Sequence, residues 1–102
     1  MDPERISDFN ISDVVVSTAG RDQNELFYVI GTDPVYLMLA NGKDRTLDKP
    51  KRKKRKHVAK VLRSETRVAE KLRLGDKVLN SELRRDLAYF SRNMQSHNQG
   101  GF

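Results

Sequence analysis

The sequence predicts a small, mainly β domain with added α: an SH3-like antiparallel barrel followed by two short C-terminal helices. Three observations predict it. Five short segments of strand composition or strand length follow one another between residues 13 and 62. Their connections are too short for a crossover helix, which makes the sheet antiparallel. Beyond Leu62 the apolar spacing lengthens to the helical period. A two-sheet sandwich usually needs about seven strands, so five favour a barrel.

The polar stretch 1–10 reads as a flexible lead-in. Asp13 to Thr18 holds Val14-Val15-Val16, a β-branched run of strand length. Ala19 to Asn24 is a turn, with Gly20 and Asn24 suited to positive φ. Glu25 to Gly31 is the second strand, broken by Thr32-Asp33-Pro34. Val35 to Leu39 is the third. Asn41-Gly42 is a strong hairpin signal and predicts a short fourth strand over Lys43 to Leu47. Lys49 to Lys56 is a basic run containing Pro50; like charges repel, so it is expected to be extended and solvated. His57 to Leu62 closes the barrel as a fifth strand, which sets the barrel at 11–62.

The helical extension covers 63–94. Ser64 is the expected N-cap of the first helix and Gly75 its C-terminal glycine. Asn80 or Ser81 caps the second, in which Leu83, Leu87, Phe90 and Met94 form one apolar stripe. Residues 95–102 read as a disordered tail.

Composition narrows the function. The 102 residues include no cysteine, which excludes disulfides and cysteine-ligated zinc. No run approaches the roughly 20 apolar residues of a membrane span. The polar start shows no secretory signal, so a cytoplasmic protein is expected. Lys and Arg number 20 against 14 Asp and Glu, a net charge of +6. The excess is uneven. Residues 1–48 carry four basic and nine acidic side chains, a net of −5. Residues 49–63 carry nine basic and no acidic ones, and residues 64–102 a net of +2. So concentrated a strip points to an acidic partner, with nucleic acid first.

Ser12 to Val61 resembles the KOW-domain RNA-binding proteins. It is most similar to bacterial members akin to the archaeal and eukaryotic large-subunit ribosomal protein of the L-fourteen-e type. The residues that carry this are Val14 to Asp22, Phe27-Tyr28-Val29-Ile30, Asn41-Gly42-Lys43, Arg45, Lys49-Pro50-Lys51 and Lys56-His57. Gly20 matches the glycine of the KOW loop. Two positions where the family often has glycine hold other residues here: Asn24, and Ser12-Asp13 before the first strand. The resemblance implies a KOW-type barrel that binds structured RNA, ribosomal RNA above all, as a ribosomal or ribosome-associated component.

The expected RNA contacts are Arg21, Lys43, Arg45, Lys49, Lys51, Arg52, Lys53, Lys54, Arg55, Lys56 and Lys60. The basic run supplies affinity by counterion release. Arg21 can grip phosphate at two points or stack on a base. Gly20, Asp22 and Asn24 shape the turn. Successive strand residues face opposite sides, so Phe27 and Tyr28 are not both expected in the core. An exposed Tyr28 or Tyr36 could stack on a base. Nothing resembles a nucleophile elbow, a metal-ligand spacing or a phosphate-binding loop. No enzyme activity, cofactor, metal or small-molecule substrate is therefore expected. Two rival readings are a transcription-elongation KOW module and an adaptor that holds a protein on Leu83, Leu87 and Phe90.

Overall fold

A computed structural model describes residues 9–100, with side chains as far as Met94. Five antiparallel strands come first: β1 (Asp13–Ser17), β2 (Leu26–Thr32), β3 (Tyr36–Ala40), β4 (Lys51–Lys54) and β5 (Val58–Arg63). A single 3-10 turn, Arg55–His57, joins β4 to β5. Two helices follow, α1 (Arg67–Leu74) and α2 (Asn80–Gly100). The sheet order is β4-β3-β2-β1-β5.

The alternation of β1 and β2 divides the core in two. Val15, Phe27, Val29, Leu37, Leu39 and Val58 form one buried cluster. These residues come from four of the five strands, so the sheet coils around them into a small barrel-like domain. Val14, Tyr28 and Ala40 point the other way and meet Val68 and Ala69 of α1 and Leu83 and Leu87 of α2. The helices thus cover the outer face around β1, β2 and the end of β3. This corrects the expectation for Phe27 and Tyr28: both are buried, because each face of β2 has a cover. Tyr28 is therefore not available to a base.

The turn residues behave as their chemistry requires. Gly20 has φ +89° and Asn24 φ +76°. Ser12, where the resemblance expects glycine, also takes positive φ, at +78°. It is held by a backbone bond to Val29 O at 2.8 Å, and its Oγ accepts from Arg73 at 2.7 Å.

The fourth strand departs from the sequence reading. Lys43 to Leu47 is a loop, and the partner of β3 is the basic segment Lys51–Lys54. The cause lies in Asn41. Its Oδ1 accepts from the amides of Lys43 and Arg45, at 2.9 and 3.0 Å, which winds the chain into a compact loop. Gly42 then sits under α2, where a Cβ would collide with Asn80 O. The basic run is thus partly sheet rather than a solvated loop.

Two helix ends are corrected as well. Thr66, not Ser64, caps α1; its Oγ1 accepts from Ala69 N at 3.1 Å. Gly75 ends α1 with φ +76°, as expected. The α2 backbone continues to Gly100, so most of the tail expected to be loose is helical. The lead-in expected over 1–10 falls largely outside the described residues. Among the described residues, no helix is long and apolar enough to cross a membrane.

Candidate nucleic-acid interface

The pleat of β4 sorts the basic run into two faces. Lys51 and Lys53 lie opposite Leu39 and Leu37, whose side chains belong to the barrel core. Arg52 and Lys54 lie opposite Met38 and Tyr36 and face outward.

The inward lysines are held by Asp22. Lys53 Nζ lies 2.9 Å from Asp22 Oδ1 and donates to Ala19 O at 2.8 Å. Lys51 Nζ lies 3.0 Å from Asp22 Oδ2. Ser17 Oγ donates to Asp22 Oδ1 at 2.7 Å. Burial alone would raise the Asp22 pKa. The hydrogen bonds from Ser17, Lys53 and Lys51 outweigh it and hold the carboxyl well below the usual carboxylate range. Lys53 is only 9% exposed. Read from the sequence as an RNA contact, it is instead an internal ion-pair partner that ties the β1–β2 turn to β4. Lys53 Nζ also passes 3.5 Å from where a Gly20 Cβ would stand.

Other cations of the run are also engaged. Lys60 Nζ lies 3.2 Å from Asp13. Arg55 is half-buried; its Nε donates to Asp33 O at 2.8 Å, and its guanidinium lies 5.7 Å from the Phe9 ring. Lys49, Arg52, Lys54 and Lys56 remain exposed. Among the described residues, none of these four has a carboxylate within 4.0 Å.

Arg21, Lys43 and Arg45 are exposed on the adjoining loops. Arg21, Arg45 and Lys51 line one hollow of about 210 Å³ together with Asp22, Glu25 and Asp44. The acidic rim makes the hollow mixed in charge. Lys43 lies apart from it, in a groove of about 450 Å³ along α2 with Arg84 and Leu87.

One feature had no signal in the sequence. The Arg52 guanidinium lies over the Tyr36 ring, with Cζ 3.8 Å from its centroid. Only the β3–β4 register brings these residues together, and the register follows from the unforeseen fourth strand. Asp33 prepares the site: its Oδ1 accepts from Val35 N at 2.9 Å and Tyr36 N at 2.7 Å. These backbone bonds, helped by nearby Arg52 and Arg55 and opposed by slight desolvation, lower the Asp33 pKa.

The stripe offered to a protein partner is spent on folding. Leu83 and Leu87 are buried, and Phe90 packs against the same cluster.

No known family model matches the chain, and no curated protein resembles it significantly.

Proposed function

We propose that this chain is an RNA-binding module whose contact surface is the outward face of β4 with the neighbouring loops. The observation that carries the reading is the group of exposed cations Lys49, Arg52, Lys54 and Lys56, which have no carboxylate within 4.0 Å among the described residues. Arg21 and Arg45, in the hollow beside Lys51, are further proposed contacts, and Lys43 is a separate one on the α2 groove. A rigid sheet holds Arg52 and Lys54 in a fixed row, so few conformations are lost on binding. Phosphate contacts then supply affinity, and shape supplies what discrimination there is.

Ribosomal RNA is the proposed target, in line with the resemblance to KOW-domain proteins. The mechanism is binding without catalysis. Asp22 keeps Lys51 and Lys53 in place and so fixes the outward direction of Arg52 and Lys54.

Ribosome pelleting from lysate at moderate salt, followed by sequencing of crosslinked RNA, tests the target. Enrichment of large-subunit ribosomal RNA is the expected result. Co-purification with RNA polymerase without ribosomal RNA would place the module in transcription. Recovery of a protein partner that survives nuclease would replace RNA binding with an adaptor role.

A further inference from the structure

We infer that the outer face of β3 and β4 is a binding site for one unpaired RNA base, with the Arg52 guanidinium as its stacking platform. The inference rests on the RNA-binding reading above and adds the kind of RNA.

Three observations carry it. The guanidinium carbon already lies over an aromatic ring, 3.8 Å from the Tyr36 centroid. Tyr36 is half-buried while Arg52, lying over its ring, is exposed and accessible to a ligand. A planar, weakly hydrated cation presented in this way is a surface on which a base stacks. Its side chain is ordered before the ligand arrives, which removes part of the entropic cost of binding.

The register completes the site. Lys54 stands directly opposite Tyr36 and two residues along the same face from Arg52, about 7 Å away. It is placed to meet a phosphate next to the stacked base. Met38, opposite Arg52, packs over Gly31, where a Cβ would stand 3.3 Å from its Cγ. That side chain provides an apolar flank. Asp33, an acid close enough to Arg52 to feel its charge, has its Oδ1 engaged by the Val35 and Tyr36 amides.

A base inside a duplex cannot expose its face to such a platform. The site therefore discriminates loops and bulges from closed helices, which the phosphate contacts alone do not do.

The test compares two RNA probes carrying the same number of phosphates: a hairpin with unpaired loop adenosines and a closed duplex. Arg52→Lys keeps the charge and removes the plane. It is expected to weaken hairpin binding about tenfold while changing duplex binding less than twofold, with an unchanged salt slope. Tyr36→Leu, which removes the supporting ring, is expected to show the same selective loss. Equal losses on both probes, or no loss on either, would overturn the stacking site and leave the RNA-binding reading standing. Failure of the unsubstituted protein to bind either probe would overturn both.

Discussion

Asp22 and Lys53 form an ion pair at 2.9 Å across 31 residues of sequence, joining the β1–β2 turn to the edge strand β4. Both side chains are about nine-tenths buried. The pair explains why a lysine inside a run of cations is not a surface charge.

Replacing Lys53 therefore acts on stability rather than on RNA. Lys53→Met leaves Asp22 with a lost partner inside the protein. A loss of about 2 kcal/mol is expected, less than for a fully isolated charge because Lys51 remains. Urea denaturation measures it. The salt dependence of RNA binding by the folded variant is expected to match that of the unsubstituted protein.

The same site sets an acid limit. The folded protein holds the Asp22 proton more weakly than the unfolded chain does, so the unfolded chain binds more protons in acid. The contribution is complete above the ordinary carboxylate pKa and is lost as pH falls below it. Stability measured in urea between about pH 5 and pH 2 should fall less steeply in Asp22→Asn than in the unsubstituted protein.

Gly42 and Gly75 share a left-handed backbone, at φ +77° and +76°. Their surroundings differ. A Cβ at Gly42 meets Asn80 O, whereas one at Gly75 meets nothing within 4 Å. Gly75→Ala is expected to cost about 1 kcal/mol from backbone strain alone. Gly42→Ala adds a collision with the first turn of α2 and is expected to cost about 3 kcal/mol. Thermal or urea melting of the two variants distinguishes these sites.

How much of this was legible in the sequence depends on where apolar side chains fall. The strands β1, β2 and β3 carry β-branched and aromatic runs, and their places are close to those expected. Lys51–Lys54 has no apolar period, so nothing in its composition separates the buried Lys53 from the exposed Lys54. Their difference comes from register against Leu37 and Tyr36. The Asn-Gly pair looked like a hairpin because its backbone signal is the same in a wider loop. The side chain of Asn41 and the contact with α2 decided between them. Phe27 and Tyr28 are both interior because α1 and α2 cover the second face, a tertiary fact that strand alternation does not contain.

Tyr28 gives the alkaline counterpart of Asp22. Burial, reinforced by the Asp86 carboxylate and opposed by Ser64 and Thr66, pushes its pKa up to about 12. Its hydroxyl donates to Asp86 Oδ2 at 2.7 Å. The folded state keeps this proton while the unfolded chain loses it above about pH 10. The stabilisation is therefore present below pH 10 and is lost as pH rises toward 12. Absorbance titration should show one of the three tyrosines ionising late, and Tyr28→Phe should remove that late step.

The central claim is that the exposed lysines beside and along β4 and in the turn after it, Lys49, Lys54 and Lys56, meet RNA phosphates. Its most direct measurement is the slope of log affinity against log salt for the unsubstituted protein and for Lys49→Gln/Lys54→Gln/Lys56→Gln. Three lost phosphate contacts should flatten the slope by roughly two to three units. An unchanged slope in the folded triple variant would contradict the account.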